Sequence, residues 1–249
     1  MKVSIITVSY NSEKFIQYCI DSVLNQSYSQ IEHIIIDGNS IDDTLNIVKG
    51  YPHLKWLSES DKGIYDAINK GINLSKGNII GILNSDDFFS DDDVIARVVK
   101  SFEENEQLEA VYSDVNFVKR VDEKEFVRHY SSKYFKPWMF RFGFQPAHPT
   151  FYVKREIFQK YGLYRTDLKI AGDFELLARF LLKKKIKFRY VSDQWVKMRI
   201  GGTSTSGLKS VIKINKEVMK ALKENEIYSN LIFVYARYLF KWWGFVKKY

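Results

Sequence analysis

Through the first hundred residues, short β-branched runs alternate with helical patterns, and this alternation limits the fold more than any other feature of the chain. Residues 2–9, 32–37, 54–57 and 78–83 read as strands, for the most part nearly continuous in apolar character. Helical spacing fills the gaps. Phe15, Cys19, Ile20, Val23 and Leu24 share one face of a helix over 13–25. Further helices are expected from a cap at Asp42 or Asp43 to about residue 50, over 64–74, and over 93–102 behind Asp91 or Asp92. Strands apolar on both faces must be covered on both faces, so the pattern predicts a parallel sheet flanked by helices. Beyond residue 108 the rhythm changes. Strands are expected at 110–112, 116–118, 125–130, 150–153 and 187–191, and helices at 156–161 and 173–184, with aromatic-rich loops over 134–144.

In an open sheet of this kind, ligands bind beyond the carboxyl ends of the strands. Here those ends deliver Tyr10 and Asn11, then Asp37, then the Ser58-to-Asp61 stretch, then Asp86 and Asp87. Four carboxylates at one edge repel one another unless a positive group sits among them. A hard divalent cation, Mg²⁺ or Mn²⁺, takes oxygen ligands and is commonly held by one or two carboxylates plus substrate phosphates. In "GILNSDD" one carboxylate of the pair suits such a cation and the other a sugar hydroxyl. Adjacent aspartates after a strand also serve as turn formers and caps, and that is the expectation for Asp91, Asp92 and Asp93.

The turn after the first strand, Ser9-Tyr10-Asn11-Ser12, lacks the glycines of a dinucleotide fingerprint, and the chain has no P-loop. Phosphates would therefore be neutralised by metal and side chains. The formal net charge of +8 suits an anionic partner. The basic residues are scattered or gathered in the tail and no nucleic-acid module is recognisable, so no nucleic-acid partner is expected. The single cysteine, Cys19, excludes an intrachain disulfide, fits a reducing compartment and is expected in the core. The N-terminal segment reads as a strand rather than a signal peptide, and no run is long enough to span a membrane.

The stretches "VSIITVSYNSEKFIQYCIDSVLNQSY", "IIIDGNSIDDT", "SESDKGIYDAINKGI" and "GILNSDD" resemble the inverting family 2 glycosyltransferases of the GT-A fold. The likeness is dense over residues 1–92, and a looser block covers 148–204 from "HPTFYVKREIF" to "GGTS". It implies an α/β fold with a mixed, mainly parallel central sheet, a glycosyltransferase domain over 1–205 divided at 107/108 into nucleotide-binding and acceptor halves, and a C-terminal helical extension over 206–249. It implies a nucleoside-diphosphate sugar donor, with UDP favoured over GDP or dTDP, and transfer with inversion to a hydroxyl of a glycan or lipid-linked glycan. Tyr10 and Asn11 would lie beside the nucleotide, Asp37 on the base, Asp61 in the same pocket and Lys62 near phosphate. Asp86 would face the ribose and Asp87 the metal. Asp173 would take the proton of the attacking hydroxyl, unless it serves only as a helix cap. His148 would contact acceptor or donor, or be structural between Pro146 and Pro149. Gly201 to Ser204 would close over the diphosphate, or form a plain turn.

The tail "LIFVYARYLFKWWGFVKKY" has apolar residues at 231, 234, 235, 238, 239 and 242, with Arg237, Lys241, Lys247 and Lys248 mostly off that stripe. It suits either an interfacial helix on a membrane or a packing helix. Similar enzymes build bacterial surface polysaccharides, such as capsule, O-antigen or exopolysaccharide, on lipid-linked acceptors. A cytoplasmic protein, peripheral on the inner face of the plasma membrane, is therefore expected. Two other classes fit parts of the pattern. A nucleotidyltransferase also uses carboxylates and Mg²⁺ but usually has a basic, glycine-rich first loop. A non-catalytic nucleotide-sugar or glycan-binding protein would keep Asp37 and Asp87 and need no base.

Overall fold

The computed structural model describes residues 1–122, 124–201 and 208–246, with no side-chain description at 208, 209 and 239–246. In chain order the first half comprises β1 (Val3–Ser9), α1 (Ile16–Leu24), β2 (Ile31–Asp37), α2 (Thr44–Lys49), β3 (Lys55–Ser58), α3 (Ile64–Leu74), β4 (Ile79–Ile82), β5 (Phe88–Phe89) and α4 (Val94–Glu103). The second half adds β6 (Ala110–Val118), β7 (Phe126–Tyr130), β8 (Tyr152–Lys154), α5 (Arg155–Tyr161), α6 (Gly172–Leu177), β9 (Phe188–Arg199), α7 (Leu208–Glu224) and α8 (Leu231–Val246). All of them serve one sheet in the order β3-β2-β1-β4-β8-β6-β9-β5, with β7 also on β6.

Strands β3, β2, β1 and β4 are parallel, as the alternation predicts. Side chains of alternate residues on β1 enter different cores. Ile6 packs with Ile34, Ile36 and the Ile68 and Ile72 face of α3, whereas Val3 and Ile5 pack with Cys19 and Val23 of α1 and with Val98 and Phe102 of α4. Strands β1, β2 and β4 are thus covered on both faces, whereas Lys55 and Trp56 of β3 are exposed at the sheet edge. Gly71 of α3 is required by that packing, because a Cβ there would stand 2.4 Å from Ile6. Cys19 is fully buried beside Thr7, and burial pushes its thiol up to about 12.

The second half mixes directions: β8 runs antiparallel to β4 and β6, while β6 and β9 are parallel. Several boundaries depart from the sequence-based expectation, each for a tertiary reason. The two strands expected at 110–112 and 116–118 are one strand, β6, because β9 accompanies it past irregularities around Asp114 as far as Val118 opposite Arg199. The same pairing extends β9 well beyond residue 191. The strand expected at 150–153 begins instead with a 3₁₀ turn, His148–Thr150, which delays β8 to Tyr152. The helix expected over 173–184 is α6 followed by a π-helical segment, Ala178–Lys183. The short β5 was not anticipated; it pairs with β9.

Capping also differs in detail. Asp42 Oδ1 accepts the Thr44 N–H at 3.1 Å, while Asp43 occupies the cap position of α2 without a capping bond. Asp93, not Asp91 or Asp92, is at the cap position of α4; Asp91 accepts the Asp93 N–H at 2.9 Å and pairs with Arg97.

In the tail, α8 packs through a face that shares only part of the expected stripe, at Val234 and Tyr238. Leu231 and Tyr235 are exposed, whereas Val234 and the cation Arg237 are buried. Arg237 donates to the Gly143 carbonyl at 2.6 Å and to Asn215 Oδ1 of α7 at 2.5 Å, and Phe233 stacks on Phe142 with ring centroids 4.6 Å apart. A basic residue placed off the apolar stripe is therefore the bolt that fastens α8 to the domain. The expectations for the side chains of Lys241, Trp242, Trp243, Lys247 and Lys248 fall outside the described residues, as does all but Gly201 of the Gly201-to-Ser204 segment.

Candidate active site

The register of the parallel strands assembles the first side of the site. Ser9, Asp37 and Ser58 are aligned partners on β1, β2 and β3. Asp37 is fully buried, and its oxygens accept from Ser9 Oγ (3.2 Å), Ser40 Oγ (2.5 Å), Ser58 Oγ (2.7 Å) and the Ser40 N–H (3.0 Å). Four donors fill the acceptor positions of one carboxylate. Asp37 thus forms a rigid floor, and it meets a further N–H only when one of the three hydroxyls turns away. Tyr10 is exposed above this floor. Asn11, in the left-handed region at φ 50°, accepts the Ile41 N–H at 3.0 Å and donates its own N–H to Ser40 Oγ at 2.8 Å. Asn tolerates that backbone better than most residues because its short amide bonds locally.

Asp61 lies across Gly38 from Tyr10: a Cβ on Gly38 would come within 2.8 Å of Asp61 Oδ2 and 3.5 Å of the Tyr10 ring. Asp61 Oδ1 accepts the Gly63 N–H at 2.7 Å, which shapes the turn into α3. Lys62 is exposed in that turn, and its carbonyl accepts Lys169 Nζ at 2.9 Å from the second half of the chain. Tyr10, Asn11, Asp37, Asp61 and Lys62 therefore do gather at one edge.

Beyond β4, Ser85 Oγ lies 2.9 Å from Ser12 Oγ, tying the aspartate pair to the first turn. Asp87 is buried and accepts from Asn84 Nδ2 at 3.2 Å and from the Arg199 backbone N–H. Burial, and next the adjacent Asp86 charge, push the Asp87 carboxyl well above the usual carboxylate range, while Asn84 and Arg199 pull it back. Asp86 is more open, with its Oδ2 3.5 Å from Arg120 Nη1. The guanidinium of Arg199, itself buried, lies 4.7 Å from the Phe88 ring, 5.1 Å from Tyr18 and 5.2 Å from Phe15.

Among the described residues no group of three or more His, Cys, Asp or Glu side chains is arranged to hold a metal. A carboxylate pair alone still fits Mg²⁺ or Mn²⁺, since these ions characteristically complete their shells with water and substrate phosphate.

Asp173 stands on the first turn of α6, yet makes no capping bond. Its Oδ2 accepts Gln145 Nε2 at 2.9 Å and lies 3.3 Å from His148 Nδ1. Its Oδ1 lies 3.3 Å from the Tyr65 hydroxyl, which also donates to the Ile170 carbonyl at 2.6 Å. One hydroxyl proton serves only one of those acceptors at a time. Gly172 permits the approach, because any Cβ would strike the Tyr65 ring at 2.6 Å. One oxygen of Glu217, on α7, accepts the N–H groups of Lys169, Ile170 and Ala171 and so fixes the approach to α6. Gln145 Oε1 is buried with no hydrogen-bond partner among the described residues.

The structure thus adds Tyr65, Gln145, Glu217, Arg120 and Arg199 to the sequence-predicted set. Of these only Arg199 carried a sequence signal, its place just before the paired glycines. A separate cavity of about 700 Å³ at the junction of α7 and α8, lined by Met219, Leu222 and Tyr228 among others, contains none of these residues.

The strand-end acids thus lie on the parallel half-sheet, and Asp173 stands on α6 beside Tyr65 of α3. Residues 4–169 match the family model "Glycosyl transferase family 2", and the chain belongs to that family. It is 36% identical over 115 residues to a chondroitin synthase of Escherichia coli, an alignment covering 45% of this chain and 17% of that one. It is 42% identical over 102 residues to an uncharacterized glycosyltransferase of Mycobacterium tuberculosis, covering 40% and 39%. The chain thus spans well under half the length of these relatives.

The GT-A fold is borne out by solved structures. Staphylococcus aureus TarS superposes with a TM-score of 0.69 at 18% identity, over 89% of this chain and 40% of that one. A mannosyltransferase from Pyrobaculum calidifontis, solved with GDP-Man and Mn²⁺, has a TM-score of 0.62 at 17% identity, over 100% and 81%. TarS has also been solved with UDP-GlcNAc. No helix among the described residues is long and apolar enough to cross a membrane.

Proposed function

We propose that the protein is an inverting glycosyltransferase. It would move a hexosyl or N-acetylhexosaminyl group from a nucleoside-diphosphate sugar to a hydroxyl of a glycan or lipid-linked glycan, in surface-polysaccharide assembly. The observation that carries this reading is the pairing of two features: the Asp37, Asp61, Asp86 and Asp87 edge, and Asp173, which is oriented by side chains rather than spent on its own helix. The solved relatives with UDP-GlcNAc and with GDP-Man and Mn²⁺ support a nucleotide-sugar donor, with UDP favoured over GDP or dTDP, and a divalent cation.

Tyr10 and Asn11 flank the nucleotide, with Asp37 and Asp61 below its base and Lys62 toward phosphate. Asp86 would meet the ribose, and Asp87 would hold Mg²⁺ or Mn²⁺. When bound, the cation neutralises charge developing on the departing nucleoside diphosphate. Asp173 accepts the proton of the acceptor hydroxyl as that oxygen bonds to the anomeric carbon and the carbon–phosphate oxygen bond breaks on the opposite face. Gln145 holds Asp173 in line, and His148 borders the acceptor.

Calorimetric titration of UDP, GDP and dTDP, each with Mn²⁺ and with EDTA, tests the donor site. The expected result is binding of one nucleotide that disappears with EDTA. Absence of metal-dependent binding for all three would remove the main support for this reading. A non-catalytic binding protein on the same fold predicts instead that Asp173→Asn changes no measurable function.

We also place the protein on the inner face of the plasma membrane as a peripheral cytoplasmic enzyme. Leu231, Ile232 and Tyr235 of α8 are exposed beside Tyr228, with exposed Trp138 and Arg141 on the segment that packs against that helix. Amphipathic surfaces of this composition partition into lipid interfaces. Sedimentation with anionic vesicles should fall by about tenfold in Ile232→Glu; equal sedimentation of the variant would sink the placement.

A further inference from the structure

The aspartate pair has a cation beside it already. Arg120 Nη1 sits 3.5 Å from Asp86 Oδ2, and its guanidinium lies 4.6 Å from the Phe15 ring centroid. The Arg199 guanidinium lies 5.2 Å from the same ring. The two arginines meet there because Val118 and Arg199 are aligned partners, so β6 and β9 end together and Arg120 follows two residues later. They differ in freedom. Among the described residues, Arg199 is 4% exposed with Phe15, Tyr18 and Phe88 around its guanidinium, whereas the Arg120 side chain is 40% exposed and lies against Phe15 and Asp86.

An exposed guanidinium at the limit of hydrogen-bonding distance from a carboxylate is weakly held. A diphosphate offers the same fork two charged oxygens in parallel, a stronger arrangement. The fold supplies no glycine cradle for such a group after β1. Asp86, meanwhile, cannot fully serve a cation or a sugar hydroxyl while Arg120 occupies its Oδ2.

We propose that Arg120 is a donor-responsive positioning residue: it covers Asp86 in the donor-free protein and transfers to the diphosphate when a nucleoside-diphosphate sugar binds, releasing Asp86, with Arg199 as the fixed wall of the pocket. This rests on the glycosyltransferase reading above. No bond is made or broken; one ion pair is exchanged for another. The exchange makes the carboxylate pair fully available only when a phosphate-bearing ligand arrives.

The role has a signature of opposite signs. In Arg120→Ala, affinity for Mn²⁺ alone should rise by a few-fold, because a positive charge beside the Asp86–Asp87 pair is removed. Affinity for the nucleoside diphosphate in saturating Mn²⁺ should fall by about 10- to 100-fold, the range for losing hydrogen bonds to a charged group. The corresponding nucleoside, which has no phosphate but carries the ribose that Asp86 would meet, should bind the variant at least as tightly as the wild type. Arg120→Lys should restore part of the diphosphate affinity through charge without the fork.

All of these are measured by calorimetry on the full chain, with thermal melting to confirm that each variant is folded. If Mn²⁺ and diphosphate affinities move in the same direction, or neither moves while the wild type binds nucleotide, the exchange is overturned and the glycosyltransferase reading stands. If the wild type binds no nucleoside diphosphate, that reading and this one fall together.

Discussion

Ser9, Asp37 and Ser58 stand abreast because three parallel strands are in register, and each strand end adds its polar group to the same edge. Asp173 is held differently. Its partners come from Tyr65, 108 positions away, and Gln145, 28 positions away, and Glu217 of α7 anchors the backbone before it. The side proposed to bind the donor thus rests mainly on strand register, and the side proposed to receive the acceptor on contacts between distant segments. A donor site must recognise a nucleotide shared by many sugars, and a rigid, repeated framework suits it. An acceptor site assembled by removable contacts can be altered without disturbing the sheet.

The strongest test of this contrast is Asp173→Asn. Turnover should fall by about 10²–10⁴-fold, the usual contribution of a general base, while metal-dependent nucleotide affinity stays unchanged. Loss of nucleotide binding in that variant would show that the two sides are not separable. The converse substitution, Asp87→Asn, should weaken metal-dependent nucleotide binding by at least about 10-fold, since outer partners of a metal ligand alone are worth about 10–100-fold. Calorimetry with and without Mn²⁺ reads this directly.

Acid should act through β2 of the parallel half-sheet. Burial, and next the nearby His53, hold His33 of β2 down to about 3. Above about pH 6.5 it is neutral in both folded and unfolded chains and contributes nothing to pH dependence. Below that the unfolded chain takes up a proton the folded one refuses, so stability falls as pH drops from about 6.5 toward 3. Burial works to raise Glu32, but hydrogen bonds from Lys55, the Lys76 N–H, Ser4 and Lys2 hold it at about 2. Its contribution is present above about pH 4.5 and is lost as pH falls toward 2. Urea unfolding should therefore show a loss of about 2 kcal/mol between pH 6.5 and 5 that is absent in His33→Gln. A slope equal in both proteins would assign the acid sensitivity elsewhere.

The smallest effect is expected from Glu217→Ala, which strands three backbone N–H groups before α6. Stability should fall by about 1–2 kcal/mol and kcat by several-fold, with donor affinity intact. A change in donor affinity instead would mean that α7 supports the sheet edge rather than Asp173.

Period and composition revealed β1 to β4 and α1 to α4, because β1, β2 and β4 are buried along nearly their whole length, whereas the two-residue β5 exists only through its pairing with β9. The edge carboxylates were legible for a related reason, since polar residues directly after an apolar run mark where a strand leaves the core. Asp173 was found by resemblance, with its helix known only approximately. Arg120 was not legible at all: nothing in "FVKRVDEKEF" sets it apart from the exposed cations around it. Its role depends on β9 continuing through the polar stretch Ser192, Asp193 and Gln194, which no hydrophobic period predicts. Arg237 misled for the same reason, because a cation counts as surface until the Gly143 carbonyl and Asn215 are known to face it.

What the sequence determined by itself is therefore the parallel half-sheet and the acidic edge beyond it, since local burial and strand ends are properties of contiguous residues. Which side chains face Asp173 and which cations face Asp86 was decided only in three dimensions. Those contacts join residues whose spacing along the chain carries no period, and they are made by packing between elements that no single stretch of sequence contains.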